Sequence, residues 1–225
     1  MIIFNHALKR ILAQPLNIFV IMIMPLPLIF IPSSDNIYPN GFYMYGLLSL
    51  FSAFLLCRSI VKERSNKIVQ RISAAPISYA SYLSGHLLAY VLILTVQAIL
   101  FTLGLKLYYS DMNINFNMIF ILFFTFNIMT ISFCLFWNSL FRSYILSYSL
   151  FSGVASLMAL ASGITMPLAF LPNSIRNFSM FLPTYWLPYG LEVLYNNNTS
   201  YVLLSLIILL IYSGVFLLIG SRRRF

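Results

Sequence analysis

The sequence predicts an all-α integral membrane protein with six transmembrane helices, and three observations carry this prediction. Hydrophobic residues make up 61% of the 225-residue chain, whose mean hydropathy is +0.92. Charged residues make up only 8%, whereas a soluble domain carries about 25%. The few charges leave six uncharged intervals that reach the roughly 20 residues a helix needs to cross a bilayer. An ordinary soluble domain, a disordered chain and a disulfide scaffold are excluded.

The six spans are placed within these uncharged intervals. A transmembrane barrel would instead need polar and apolar residues to alternate along strands of about ten residues. Continuous apolar runs such as Tyr201–Leu210 argue against that alternative. The predicted spans are Leu16–Ile31, Phe42–Val61, Tyr82–Leu105, Phe116–Trp137, Tyr144–Gly163 and Tyr201–Ile219.

Residues 1–14 form a separate amphipathic element before the first span. At 100° per residue one face is apolar, formed by Ile3, Phe4, Ala7, Leu8, Ile11 and Leu12. The opposite face is polar, and Pro15 separates the element from the first span. We therefore expect an interfacial helix on the inner membrane surface. The first span is expected to be retained, because prolines and no small-residue cleavage site follow its apolar run.

Basic residues predict the orientation, because cytoplasmic loops carry an excess of Lys and Arg. With the amino terminus inside, only Lys106 and Arg176 lie outside, together with three of the four acids. Eleven basic residues then lie inside: Lys9, Arg10, Arg58, Lys62, Arg64, Lys67, Arg71, Arg142, Arg222, Arg223 and Arg224. The net charge of +9 thus reflects topology and not nucleic-acid binding. We expect a multi-pass protein of a bacterial plasma membrane with both termini cytoplasmic.

The stretch between the fifth and last spans is too long for a turn. Prolines and aromatic residues alternate through residues 164–190. This composition predicts a re-entrant outer segment, a broken hairpin of short helices that dips into the outer leaflet with Trp and Tyr at the headgroups. A structured outer loop with no special role is the alternative.

The cytoplasmic loop 62–76 is predicted to form a short amphipathic helix that Pro76 ends. On a helical wheel, one stripe is basic and contains Arg64, Lys67 and Arg71. The stripe beside it is apolar and contains Ile68, Ile72 and Ala75. Such a helix suits docking in a groove of another protein. Its basic residues are equally suited to anionic lipid, and the periodicity leaves both interpretations open.

The sequence contains no constellation typical of an enzyme or a metal site. The histidines are His6 and His86, and no Cys, His or carboxylate cluster has the spacing of metal ligands. His86 is expected to bond across helices and not to activate a serine. Cys57 and Cys134 are expected to be packing residues facing a reducing compartment, without a disulfide. We predict no catalytic residue and no metal.

Transport driven by an ion gradient is disfavoured. No Asp or Glu falls within a predicted span, although buried acids usually mark proton or sodium pathways, and the halves show no matching interrupted helices. Energy for uphill transport would therefore enter from outside the membrane. The fifth span carries a small-residue ladder at Ala155, Ala159 and Gly163, which fits packing within one subunit and a dimer interface equally well.

Two motifs resemble the membrane subunits of type-2 ATP-binding-cassette exporters. Their second and third spans are joined by a coupling helix with the pattern E-R-x-x-G-T-x-x-R-L-x-x-x-P, and a glycine follows. Here Glu63-Arg64, Arg71-Ile72, Pro76 and Gly85 match in order and spacing, and the Gly-Thr pair is absent. The second motif matches at Ser162-Gly163, Pro167-Leu168, Leu171-Pro172, Leu182-Pro183, Tyr185 and Gly190.

The resemblance implies that residues 1–225 form a single permease domain that works with other chains. The sequence lacks the G-x-x-x-x-G-K-[ST] pattern that cradles phosphates, so ATP and magnesium would bind to separate nucleotide-binding ATPase subunits and no cofactor to this chain. A second permease subunit, in a homodimer or heterodimer, would complete the pathway. The implied ATPase-coupling residues are Glu63, Arg64, Lys67, Ile68, Arg71, Ile72 and Pro76. The implied outer re-entrant residues are Gly163, Pro167, Pro172, Pro183 and Tyr185.

The spans offer few charged anchors for a cargo. This suits an exporter of a lipophilic or amphipathic substrate taken from the inner leaflet, such as an antimicrobial peptide, a drug or a lipid-like molecule. The aromatic content of 17% is also compatible with a glycan. The alternative function is a non-transporting immunity or assembly protein that binds a toxin or lipid in the same bilayer.

Overall fold

The computed structural model describes residues 2–32, 38–65, 79–110, 115–165, 172–196 and 198–222. Every regular element in these ranges is helical and none is a strand, which confirms the predicted all-α class. Two short 3-10 helices lie at Leu26–Phe30 and Pro183–Tyr185. The α-helices are α1 (Ile2–Leu12), α2 (Pro15–Ile23), α3 (Asn40–Ser65), α4 (Tyr79–Tyr108), α5 (Phe116–Leu140), α6 (Tyr144–Ala161), α7 (Asn173–Ser179), α8 (Trp186–Tyr195) and α9 (Thr199–Arg222).

Five helices are long and apolar enough to cross a bilayer, and they confirm the second to sixth predicted spans. Their ends lie within one helical turn of the predicted ends, because long uncharged runs between charged residues are a strong indicator of transmembrane helices. The spanning parts are Asn40–Val61, Ser81–Tyr108, Phe116–Leu140, Tyr144–Ala161 and Ser200–Arg222.

The first predicted span, Leu16–Ile31, is not one continuous helix. After α2 the chain changes at Pro25 to the 3-10 helix Leu26–Phe30. Proline lacks an N–H and its ring clashes with the carbonyl four residues earlier, so closely spaced prolines interrupt an α-helix. The segment Pro15–Phe30 counts as a candidate span only together with α1, from which it is bent by 82°.

The amphipathic helix α1 packs its apolar face on the bundle. Ala7 and Ile11 are buried, and Ile3 and Phe4 pack against the core, whereas Leu12 is exposed. The 82° bend makes α1 nearly perpendicular to the segment Pro15–Phe30. That geometry is compatible with a helix lying along a membrane surface, and the interfacial position remains a prediction.

Helix α5 is the centre of the bundle. It packs against α3, α4 and α9 and buries the largest share of any spanning helix, as expected for a helix that is hydrophobic all round. The side chain of Asn115 caps its first turn by accepting a hydrogen bond from the Met118 N–H at 3.3 Å. By contrast, α6 and α9 expose most of their apolar surface.

Helix ends rich in basic residues lie together at one end of the bundle, called the basic end below. Gly220, near the end of α9, lies beside Leu83 at the start of α4 and Phe136 near the end of α5. The Arg58 guanidinium of α3 lies over the ring of Tyr144 at the start of α6. The basic end therefore comprises α1, the carboxyl-terminal ends of α3, α5 and α9, and the amino-terminal ends of α4 and α6.

At the opposite end, the 3-10 helix Leu26–Phe30 is wedged between α3 and α4. A Cβ added at Gly41 of α3 would lie 1.9 Å from the Leu28 carbonyl oxygen, and one at Gly104 of α4 would lie 2.4 Å from Ile29 Cδ1. The Tyr109 hydroxyl donates a hydrogen bond to the Ile29 carbonyl oxygen at 3.0 Å. Two glycines thus permit the close approach of the broken first span.

Candidate functional site

The predicted coupling residues begin in the last turn of α3, at the basic end, and continue in the sequence toward α4. Helix α3 continues beyond its spanning part to Ser65, so Glu63 and Arg64 lie in its last turn, and α4 begins at Tyr79. The other predicted coupling residues fall outside the described residues: Lys67, Ile68, Arg71, Ile72 and Pro76. The coupling role of loop 62–76 stays a prediction. The structure describes the two helices on either side of it, α3 and α4.

Gly85, the glycine of the first motif, lies where α1 packs closely on α4. A Cβ added there would lie 2.8 Å from Ile3 Cγ2 and 3.5 Å from the backbone nitrogen of Phe4. Only a residue without a side chain admits this approach without a shift of α1. The motif glycine therefore joins the amino-terminal helix to the helix that follows the predicted coupling loop.

A chain of polar side chains connects α4 to α3 just inside the basic end. His86 Nδ1 lies 3.0 Å from the Tyr90 hydroxyl, and the same hydroxyl lies 2.5 Å from Ser59 Oγ. The bond from His86 to Tyr90 lies within α4, and the contact across helices is made by Tyr90 with Ser59. A bond from His86 itself across helices stays a prediction. With Gly85, this connection joins α1, α3 and α4 at the basic end.

The centre of the bundle contains a buried polar network that the sequence did not reveal. The Asn127 side chain accepts from Ser49 Oγ at 2.6 Å, and its amide donates to Tyr45 Oη at 2.9 Å and to the Leu94 carbonyl at 3.0 Å. All three partner residues are fully buried. Asn127 thereby ties α5 to α3 and α4 within the hydrocarbon region.

The first of our predictions concerns this network. Asn127→Leu is expected to destabilise the folded protein by about 2 kcal/mol, since interhelical hydrogen bonds in membranes contribute about 0.6 kcal/mol each and up to about 1.7. The thermal unfolding midpoint in detergent measures the effect. The control is Asn117→Leu, on the same helix but exposed, which should leave the midpoint nearly unchanged. Equal midpoints for the two variants would contradict the role of Asn127.

Gly163 ends α6 and starts the predicted outer segment. Its φ of 86° is in the left-handed region that favours glycine. The Ile164 N–H donates to the Ala159 carbonyl oxygen at 3.1 Å, the bond that closes a Schellman helix ending. The sequence therefore places a glycine where the chain must turn out of the fifth span.

The described part of the outer segment contains short helices, namely α7, the 3-10 helix Pro183–Tyr185 and the start of α8. Pro172 is exposed and precedes α7, whereas Pro183 and Tyr185 are buried in the 3-10 helix between α7 and α8. Pro167 lies outside the described residues. The Ser179 hydroxyl donates to the Ala161 carbonyl and thus ties α7 to the end of α6. Insertion of this segment into the outer leaflet remains a prediction.

Helix α8 packs into the bundle. Leu187 and Leu191 are fully buried. Gly46 of α3 leaves room for α8, because an added Cβ would lie 2.7 Å from Leu187 Cδ2. Gly190 of α8 likewise lies against Leu122 of α5 and Ser205 of α9. The outer segment is therefore part of the protein core as well as part of its surface.

Glu192 of α8 is a half-buried acid two residues beyond the predicted outer segment. Desolvation by burial raises the pKa of its carboxyl above the usual value of 4.5, and the positive charge of Arg176 opposes that shift. Burial raises the pKa of the Tyr185 hydroxyl, and the nearby Glu192 carboxylate raises it further. Helix α8 thus carries a carboxyl group whose charged form is disfavoured by burial.

The raised pKa of the Glu192 carboxyl predicts that the stability of the protein depends on pH. Because the folded-state pKa of Glu192 is raised, the folded state binds the proton more tightly, and stability falls as pH rises above 4.5 through the folded-state value. Glu192→Gln should remove this contribution, so the difference in midpoint between variant and wild type should grow with pH. Thermal scans from pH 4.5 to pH 8 measure it. A difference that stays constant would contradict the desolvation of Glu192.

Two remaining predictions, on the cysteines and on the small-residue ladder, can be compared with the structure. Cys57 and Cys134 are buried and free, as predicted, and the Cys134 thiol lies 3.8 Å from the Leu50 carbonyl oxygen. Ala155 and Ala159 are fully buried, so these two members of the ladder pack within the subunit. Among the described residues, no group of three or more His, Cys, Asp or Glu side chains is arranged to hold a metal ion.

Five helices of spanning length and apolar composition define a multi-pass membrane protein. A family model described as "ABC-2 family transporter protein" matches residues 21–222. The chain therefore belongs to the ABC-2 transporter family, and it is a permease subunit of an ABC transporter, a class that associates with ATP-binding subunits. This confirms the resemblance drawn from the two motifs. No curated protein matches the chain.

Proposed function

We propose that the chain is a subunit of an exporter that moves a lipophilic or amphipathic substrate out of the cell. A separate nucleotide-binding subunit would bind ATP and magnesium and supply the energy by hydrolysis. The observation that carries the proposal is membership of the ABC-2 family across residues 21–222. In this proposal the basic end faces the cytoplasm, together with both termini, in agreement with the distribution of basic residues.

The packing at the basic end supports a route for the coupling. Loop 62–76 would dock in a groove of the ATPase through Glu63, Arg64 and the residues that follow. Any displacement of this loop acts on α3 and α4, which hold it, and on α1, which packs on α4 at Gly85. Closure of the ATPase subunits would then shift an equilibrium between conformations of the pathway, with ATP supplying the differential affinity that such a shift requires.

A second permease subunit, identical or similar, would cover the exposed face of α6. Ser149, Gly153 and Ser156 are exposed on this helix, and a Cβ added at Gly153 would meet no atom within 4 Å. Small residues on a membrane helix allow the backbone of another helix to approach closely. With Ala155 and Ala159 buried inside the subunit, these residues remain available for the second copy.

The surface chemistry supports a lipophilic or amphipathic cargo such as an antimicrobial peptide, a drug or a lipid-like molecule. No charged residue lies between Arg142 and Arg176, so α6 offers no ionic anchor. Exposed aromatic residues also lie on the outer segment, where Phe178 and Phe181 are 62% and 75% exposed. Such a surface favours apolar contact over recognition of a charged group.

The deciding experiment compares active and inactive ATPase. The chain is reconstituted in vesicles with its ATPase subunit, and uptake of a fluorescent hydrophobic peptide into inside-out vesicles is measured. Transport should require ATP and fall to background when the ATPase cannot hydrolyse it. A resistance phenotype that persists in cells carrying the inactive ATPase would instead show a non-transporting immunity protein that binds the toxin or lipid.

A further inference from the structure

A groove lies between α4 and α5, at the end of the bundle opposite the basic end, and its volume is about 240 Å³. One wall is formed by residues of α4 that are three and four positions apart and therefore share one face of the helix, namely Ile99, Thr102, Leu103 and Lys106. The facing wall belongs to the first turns of α5, with Phe116 and Phe120 as its aromatic part. The groove thus has two largely apolar walls from two spanning helices.

The groove opens on a surface of the bundle that faces the bilayer. Leu103 is 52% exposed and belongs to the spanning part Ser81–Tyr108. An apolar cavity of about 150 Å³ is large enough for benzene, whereas drug-sized ligands bind in pockets of about 300–1,000 Å³. The groove therefore suits a segment of hydrocarbon chain, such as part of an acyl chain of a lipid, and is too small for a drug-sized cargo.

The polar residues of the groove favour an anionic headgroup. Lys106 is the charged member among the described residues that line it, and it lies two residues before the end of the spanning part at Tyr108. The Asn117 side chain on the facing wall adds an amide with two N–H donors. Because none of these described lining residues is an acid, the ammonium group and the amide suit the oxygens of a phosphate.

Thr102 is a second polar level of the groove, deeper in the bilayer than Lys106. Its Oγ1 is buried and has no hydrogen-bond partner in the part of the chain that the structure describes, which is costly for a hydroxyl. Thr102 lies four residues before Lys106, about 6 Å along the helix. The polar layer of a bilayer is about 5–8 Å thick on each side. A lipid with its phosphate at Lys106 therefore has its ester oxygens, which are hydrogen-bond acceptors, at the level of Thr102.

We propose that this groove binds an anionic phospholipid, with its phosphate at Lys106 and Asn117 and an acyl chain along Leu103 and Phe120. The site lies at the opposite end of the bundle from the last turn of α3, so its occupancy is independent of the proposed coupling to an ATPase. The bound lipid contacts both helices and ties the end of α4 to the start of α5. Loss of the Lys106 charge weakens binding about fivefold, the factor for one cationic side chain near anionic lipid.

Native mass spectrometry of the full chain in detergent tests the proposal, with phosphatidylglycerol and phosphatidylcholine of identical acyl chains added in equal amounts. We expect the wild type to retain phosphatidylglycerol selectively. Lys106→Gln should weaken its binding about fivefold, and the control is Arg176→Gln, which removes an exposed charge from α7 at the same end. Leu103→Trp should fill the groove and weaken the binding of both lipids. Its control is Leu107→Trp, at a position that is 83% exposed and outside the lining, and both controls should change the affinity by less than twofold.

Three outcomes would overturn the proposal. Equal losses for Lys106→Gln and Arg176→Gln would show diffuse surface attraction without a site. Equal losses for the two tryptophan variants would place the lipid elsewhere on α4. Absence of selection for phosphatidylglycerol by the wild type would exclude an anionic lipid as the ligand. If Leu103→Trp does not yield monodisperse protein, Lys106→Gln, at an exposed position, decides.

Discussion

Replacing Glu63 and Arg64 together by alanine is expected to abolish copurification of the chain with its ATPase subunit. Both residues lie in the last turn of α3, beyond the spanning part that ends at Val61. A charged pair that extends from the membrane on a continuous helix is positioned by the bundle and costs little ordering on binding. Truncation of buried charged groups at an interface costs about 2–5 kcal/mol, which is at least about 30-fold in affinity.

Affinity purification from membranes, followed by quantification of the ATPase subunit, measures this loss. The matched control is Lys106→Ala, a charge removal near the end of α4 opposite the basic end, which should leave copurification unchanged. ATP-dependent transport should fall together with copurification. If the ATPase stays bound when the whole of loop 62–76 is scrambled, the coupling assignment is wrong, whereas family membership is unaffected.

The spanning helices could be predicted from the sequence because a bilayer imposes a length and an apolar composition on each of them. The break in the first span could not be placed in the same way. Pro25 and Pro27 were visible, but prolines are tolerated in membrane helices when neighbouring groups satisfy the freed backbone. Here the chain instead becomes a 3-10 helix, whose position depends on the space that Gly41 and Gly104 leave on two other helices.

The site was predictable where it depends on local sequence and unpredictable where it depends on register between helices. Gly85 and Gly163 belong to the motifs, and the structure explains why each is a glycine. Gly85 lets α1 approach α4 closely, and Gly163 adopts a left-handed backbone conformation. The Asn127 network depends on which faces of α3, α4 and α5 meet, which composition does not determine. The available indication was a polar amide inside an apolar span, since such residues usually find a partner on another helix.

The same dependence on helix contacts explains why Gly41, among the described helical glycines, has the least room for an added carbon. The nearest atom to an added Cβ is the Leu28 carbonyl oxygen, at 1.9 Å, and the Leu28 carbonyl carbon follows at 2.8 Å. Both atoms belong to the backbone, so no side-chain rotation can relieve the overlap. At Gly104 the nearest atom is the tip of the Ile29 side chain, which can turn aside.

Gly41→Ala is therefore expected to destabilise the folded protein by about 3 kcal/mol, the upper part of the range for overpacking, and to lower the yield of monodisperse protein. To accept the methyl group, α3 must move away from the 3-10 helix Leu26–Phe30, which also strains the Tyr109 hydrogen bond to Ile29. Thermal unfolding in detergent measures the loss. Gly214→Ala, in α9, is the matched control, because its Cβ meets nothing within 4 Å and alanine favours a helix by about 1 kcal/mol over glycine. Gly104→Ala should fall between the two. If Gly41→Ala unfolds at the temperature of Gly214→Ala, the 3-10 helix does not lie against α3, and the described path of the broken first span is wrong.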